Sequence, residues 1–253
     1  MTPSITKNKV FRNIIVILFW LAVWEIVSRI INQDIFLASP VKTVETFIGL
    51  LSKPDFWQTV LFSLIRIIAG FFSAVICAIF LAVLAASSDW IQAILHPVML
   101  LIKSTPVASF IIIVLLWSGS QNLASIISFL MVLPVIYTNT LQGILNTDKK
   151  LLQMAQVFKI PLSKKVRLIY LHDVMPYFLS GLTVSLGLAW KSGIAAEVIG
   201  LPNGSIGERL YQAKIFLSSA ELISWTITII LLSFLFERTV LYFVQQFQER
   251  IEA

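Results

Sequence analysis

The sequence predicts an all-α membrane protein with about six transmembrane helices. Three observations carry the prediction: the composition, the distribution of the apolar residues, and the placement of the basic ones. Of 253 residues, 58% are hydrophobic and 13% charged, with a mean hydropathy of +0.89, whereas a soluble domain carries about 25% charged residues. The apolar residues form continuous runs and lack the in-out alternation of a barrel strand. Ile67 to Ala86 holds no charged side chain, and neither does Ser104 to Thr147. That second run far exceeds the ~20 residues of one crossing. It must fold back, and Ser118, Gly119, Ser120, Gln121 and Asn122 supply the turn.

Taken in order, the predicted spans are 14–31, 62–86, 97–117, 122–144, 174–196 and 220–246. The first follows Lys7, Lys9 and Arg12 as a signal peptide would. Its apolar stretch exceeds a signal core of about 7–15 residues, and no small-x-small site precedes Asn32, Gln33 and Asp34, so we expect it to be retained. Between the first two spans, Pro40, Val44, Phe47, Ile48 and Leu51 recur at helical spacing within Ser39 to Asp55, which predicts an amphipathic helix at the outer interface. The lone Cys77 sits inside an apolar span, which leaves neither a disulfide nor a zinc site. No short repeat or linker divides the chain. The expected organisation is one membrane domain, 14–246, with tails 1–13 and 247–253 and a prominent loop at 146–173.

An even number of spans puts both termini on one side. That side holds Lys7, Lys9, Arg12, Lys149, Lys150, Lys159, Lys164, Lys165, Arg167, Arg238 and Arg250; the other holds only Lys42, Lys53, Lys191, Arg209 and Lys214. The bias predicts an inner-membrane protein with cytoplasmic termini. It also accounts for the net charge of +6 without a nucleic-acid partner.

The 146–173 loop is too long for a plain connector. Thr147 or Asp148 can cap a short helix that carries Leu151, Leu152, Ala155 and Phe158 at helical spacing. Pro161 breaks the run, and Ser163 can cap a second helix leading into the next span. An apolar helical face on a basic loop must be covered, by the protein's own helices or by a docking subunit.

Other residues stand out singly. Lys103 lies near the end of the third span, where it either faces a cavity as an anion site or snorkels to the headgroups, the second being favoured. Thr105, Pro106 and Pro134 lie where a missing backbone donor can kink a helix and expose a carbonyl to a pathway, or simply bend the chain. Glu25 and Arg29 are spaced as an i,i+4 pair. Lys191 and Glu197 can gate solute entry, with an interfacial salt bridge as the plainer role. His96 and His172 are the only histidines, and no nucleophile and acid series accompanies them. An enzyme is not expected, nor a bound metal.

The string Leu151-Leu152-Gln153-Met154-Ala155, the turn at Lys159-Ile160-Pro161, then Ile169-Tyr170-Leu171-His172 and Pro176 to Gly181 resembles the EAA loop of binding-protein-dependent ABC importer permeases. Gln153 stands where that family has Glu, Met154 where it has Ala, Lys159 where it has Gly, and His172 where it has Pro. Trp24-Glu25, Ala38-Ser39-Pro40, Arg66 with Gly70, Thr105-Pro106, Ala189-Trp190 and Ala196-Glu197 are similar to the nitrate, sulfonate and taurine branch. The resemblance implies a permease that forms the translocation pathway as a dimer, most simply of identical copies. It implies a separate pair of ATPases, which use ATP and magnesium, and an extracytoplasmic solute-binding protein. It further implies a coupling helix in the loop between helices 4 and 5, contacting the ATPase through Leu151, Leu152, Gln153, Ala155, Phe158, Lys159, Ile160 and Pro161. Nitrate, sulfonates, taurine and vitamin precursors are the implied solutes. The chain has no phosphate-binding glycine loop of its own, and no cofactor is expected on it. Without the resemblance, a secondary transporter or a membrane-embedded assembly factor is the alternative. The first normally shows more intramembrane ionisable residues and two similar halves, the second polar residues clustered at one depth.

Overall fold

A computed structural model describes residues 4–252, with side chains placed for 11–246 and for Gln248. It consists of helices α1 (Ser4–Ile31), α2 (Pro40–Leu51), α3 (Pro54–Ser87), α4 (Asp89–Ser104), α5 (Val107–Ser118), α6 (Leu123–Leu145), α7 (Lys149–Val157), α8 (Leu162–Lys165), α9 (Leu171–Gly200), α10 (Ile206–Ile215) and α11 (Ser219–Glu252). A single π-helical turn, Val166–Tyr170, joins α8 to α9. Among the described residues, five helical stretches are long and apolar enough to cross a bilayer: Phe11–Ile31, Pro54–Ser87, Leu123–Leu145, Leu162–Gly200 and Ser219–Gln246. The expected tails continue helices, since α1 begins at Ser4 and α11 runs to Glu252. Their outermost residues, 1–3 and 253, lie outside the described part.

The third expected span, 97–117, is not one straight helix. It is replaced by α4 and α5, which meet at 104° and make a sixth crossing if counted together. The cause is local. A residue before proline is pushed out of the helical region, and Thr105 adopts φ −78°, ψ 132°, ending α4. Pro106 then starts α5, its carbonyl accepting from Ser109 and Phe110 N–H at 3.0 and 3.4 Å. Pro134 has no such effect. It is buried inside α6 among buried Met131, Val132, Leu133, Ile136 and Tyr137, and the helix passes through it unbroken.

The chain divides into two compact units. The first comprises residues 1–58 and 209–228. Here α2 begins as expected, with the Ser39 hydroxyl accepting from Lys42 N–H at 3.3 Å and Pro40 in the first turn. Trp24 Nε1 donates to the Ala38 carbonyl at 3.0 Å, which ties α1 to the segment entering α2. Glu25 and Arg29 form their pair at 2.6 Å. Phe56 and Trp225 stack with centroids 5.0 Å apart.

The second unit comprises residues 59–208 and 229–253. Its centre is the packing of α6 on α9, with small residues at the contact. A Cβ on Gly181 would meet Asn139 Cβ at 2.9 Å, and one on Gly143 would meet Val174 Cα at 3.0 Å. Ser128 Oγ donates to the Ala189 carbonyl at 3.0 Å. Small residues that let backbones approach, with hydroxyls bridging helices, are what holds helices together where lipid removes the hydrophobic drive between them. Ile111, Leu123, Ile127, Met131 and Ala196 form a buried cluster at the α5, α6 and α9 contact. Where α3 crosses α6, Arg66 Nε donates to the Gln121 carbonyl at 2.6 Å and Ser125 Oγ to the Arg66 carbonyl at 2.8 Å. The Arg66 guanidinium also lies 3.4 Å from the Phe62 ring centroid. One turn on, the crossing is so close that a Cβ on Gly70 would meet the Ser125 carbonyl oxygen at 2.3 Å.

Candidate functional site

The segment between α6 and α9 is built from hydrogen bonds at both ends of α7. Asp148, not Thr147, is the cap: its Oδ1 accepts from Lys150 N–H at 2.8 Å, while Thr147 is buried and donates back to the Gly143 carbonyl at 3.2 Å. Asp173 Oδ2 accepts from Asp148 N–H at 3.2 Å, so the entry to α7 is tied to the first turn of α9. At the other end, Ile160 N–H bonds the Ala155 carbonyl at 2.9 Å and Lys159 N–H the Gln156 carbonyl at 3.1 Å. This paired closure demands a left-handed residue after the cap, normally glycine. Lys159 occupies it with φ +50°.

The helix phase corrects one expectation. Ala155, expected on the docking face with Leu152 and Phe158, is 2% exposed, and Leu152 and Ile160 are half-buried. Alanine is the smallest residue of the periodic set, and it faces the protein's own side. The exposed apolar stripe runs instead through Leu151, Met154, Val157 and Phe158, the last two 77% and 72% exposed. Gln153, Lys159 and Pro161 are exposed around it. Met154 and Val157 were missed because the periodic pattern has two phases. The small, buried Ala155 was the signal that could have chosen between them.

Beyond Pro161 the expected cap at Ser163 does not form. Pro161 itself occupies the N-cap with φ −61°, ψ 149°, and Ser163 lies inside α8. From Leu162 the chain stays helical through the π turn into α9, and Ile169 in that turn is buried. No irregular residue separates this part of the loop from the spanning helix.

The residues expected to line a pathway are not brought together. Lys103 and Lys191 are exposed, on α4 and α9. Thr105 and Pro106 form the α4–α5 bend, with Thr105 Oγ1 donating to the Leu101 carbonyl at 2.7 Å, and Pro134 is buried in α6. Glu197 makes no salt bridge with Lys191. It is fully buried, and its Oε2 accepts from Ser63 Oγ at 2.8 Å and from Gly207 N–H at 3.1 Å. Ser63 Oγ in turn accepts from Ile206 N–H at 2.9 Å. Together they hold the first turn of α10, where free N–H groups and the helix dipole favour a carboxylate. Gly207 is required there because a Cβ would stand 2.3 Å from Glu197 Cβ. Among the described residues no group of three or more His, Cys, Asp or Glu side chains could hold a metal.

Residues 74–251 match the family described as binding-protein-dependent transport system inner membrane component. Over 199 residues the chain is 26% identical to a protein named as an aliphatic sulfonates transport permease, SsuC of Bacillus subtilis (strain 168), covering 78% of this chain and 71% of that one. It is 23% identical over 220 residues to the taurine transport system permease protein TauC of Escherichia coli (strain K12), covering 85% and 80%. It is 27% identical over 205 residues to the nitrate import permease protein NrtB of Synechococcus elongatus, covering 77% and 73%.

Proposed function

The chain belongs to the family of binding-protein-dependent transport system inner membrane components, and on that premise we propose that its α6–α9 segment couples a separate ATPase to the transport of a small solute with an anionic head. It is a multi-pass permease subunit of an ABC importer, non-catalytic itself, and its partners are an ATPase subunit and a solute-binding protein. The observation that carries the coupling role is the exposed stripe of Leu151, Met154, Val157 and Phe158 on α7. Such a face on a basic loop fits a groove in a partner.

The stripe is suited to transmit force. The Asp148–Asp173 bond ties one end of α7 to α9, and the continuous helix from Leu162 to Gly200 carries motion inward. When ATP and magnesium close the ATPase pair, α7 moves with its groove and α9 shifts against α6, which opens the pathway to one side and then the other. Leu151, Gln153, Met154, Val157, Phe158, Lys159 and Pro161 make the contact. Leu152, Ala155 and Ile160 seat the helix on its own chain. A second copy of the chain completes the pathway. The basic bias supports a cytoplasmic position for the loop and both termini, and a single cysteine at 159 should be silent to an impermeant thiol reagent in intact cells while one at Asn203 reacts.

The relatives are named for sulfonates, taurine and nitrate; each of these carries an anionic head, taurine with an ammonium besides, which supports a small solute with an anionic head as cargo over an uncharged vitamin precursor. The test is to co-purify the chain with its ATPase, reconstitute the pair, add the binding protein and screen those solutes, and others without an anionic group, for stimulated ATP hydrolysis and uptake. A solute with an anionic head should stimulate both. Stimulation only by a solute without one would overturn the cargo, and failure of any ATPase to co-purify would overturn the coupling role.

A further inference from the structure

Helices α4 and α6 line an open groove of about 290 Å³, at the lower end of the roughly 300–1,000 Å³ of small-molecule sites. Gln92, His96 and Lys103 line it from α4, and Tyr137, Thr138 and Gln142 from α6; the remaining wall is a methionine and three leucines. Lys103 is the one formally charged residue of the lining, no carboxylate shares it, and the ammonium has no ion pair among the described residues. Tyr137 is buried, and its hydroxyl is sealed from this space. A cation without an ion pair thus borders a space lined otherwise by neutral polar side chains and by methionine and leucine.

We propose that the α4–α6 groove binds a small organic anion, its charged head on Lys103 and its short alkyl part against Met99, Leu100, Leu141 and Leu145. A charge-assisted bond from Lys103 fixes the head. Gln92 and Gln142 add amide donors. The apolar walls favour an alkyl-bearing anion over a bare inorganic one, which would leave them facing empty space. A cation is repelled by Lys103, with nothing in the lining to neutralise it. The assignment of this occupant to the cargo rests on the importer reading above; the site itself does not.

The experiment uses the permease with its ATPase in nanodiscs of phosphatidylcholine alone. Radiolabelled butanesulfonate is the probe and n-pentanol the neutral competitor. We expect saturable binding that pentanol does not displace. Lys103→Met should weaken it at least tenfold and Gln142→Leu severalfold, with both variants matching the parent in size-exclusion profile. Leu141→Trp, which fills the groove and keeps Lys103, should abolish it. Binding equal in parent and Lys103→Met, or no saturable binding, overturns the site. So does a bound anionic lipid, recovered by native mass spectrometry from native-lipid preparations, whose retention depends on Lys103. Solute-stimulated ATP hydrolysis with the binding protein, in the same nanodiscs, separates the two readings. If stimulation persists while butanesulfonate ignores Lys103, only the site falls; if Lys103-dependent binding occurs with no stimulation by any solute, the importer reading falls.

Discussion

Glu197→Ala is the sharpest test of how the α9–α10 corner is held. The change removes the acceptor for Ser63 Oγ–H and Gly207 N–H. Stranding a buried donor costs about 1–3 kcal/mol, and a hydrogen bond contributes about 0.5–1.5. Ser63 can turn its hydroxyl elsewhere, but the Gly207 N–H is fixed by the backbone, so the net loss is about 3 kcal/mol. Glu197→Gln is the control. Its amide oxygen can take the place of Oε2 and keep both donors satisfied, while its NH₂ falls where Oε1 has no partner, at a cost of about 1 kcal/mol. The readout is trypsin cleavage within α10, at Arg209 and Lys214. When opening is fast relative to cleavage, proteolysis follows the opened population, so 3 kcal/mol corresponds to about a hundredfold faster nicking, and the Gln variant to several-fold. Equal cleavage of the parent and Glu197→Ala, in protein that remains folded, would refute the claim that this carboxylate holds α10.

Two further substitutions test local geometry. Lys159→Gly removes the left-handed side chain at φ +50° and should raise the detergent melting midpoint by about 2 °C, whereas β-branched Lys159→Val should lower it. Gly70→Ala drives a methyl into the Ser125 carbonyl and should cost about 1–3 kcal/mol, lowering the midpoint by several degrees. Gly49→Ala, in α2 with nothing within 4 Å of the added Cβ, should be neutral or slightly stabilising.

The number and order of spans are legible in the sequence because charge-free runs longer than a bilayer crossing have few other fates, and α6, α9 and α11 begin within a few residues of their expected starts or include them. The bend at Pro106 is legible only as a candidate kink. Pro106 and Pro134 present the same chemistry, and what separates them is burial: packing keeps α6 helical through buried Pro134, while exposed Pro106 has nothing to oppose the break. The short loop helix follows from Asp148 and Pro161, but its outward face does not, because period alone leaves the phase open until Ala155 is found buried. The Glu197 node was out of reach for a different reason. Its partners Ser63 and Ile206 are far apart in the chain, and Lys191, the charged neighbour that suggested a salt bridge, lies exposed on another face of the helix. Gly207 beside Glu197, like Gly70 beside Ser125, shows its purpose only once the close approach is measured.

The most direct test of the coupling claim is Phe158→Asp in the full importer, measured as membrane insertion, ATPase co-purification and solute uptake beside the parent. Phe158 is 72% exposed on the permease alone, so on a loop that merely faces water the change should cost within about 0.5 kcal/mol. In a protein groove an unpaired carboxylate costs several kcal/mol, on the order of 3–5. The account predicts normal insertion, loss of the ATPase from the purified complex and loss of uptake. An inserted variant that retains its ATPase and transports at the parent rate would contradict it.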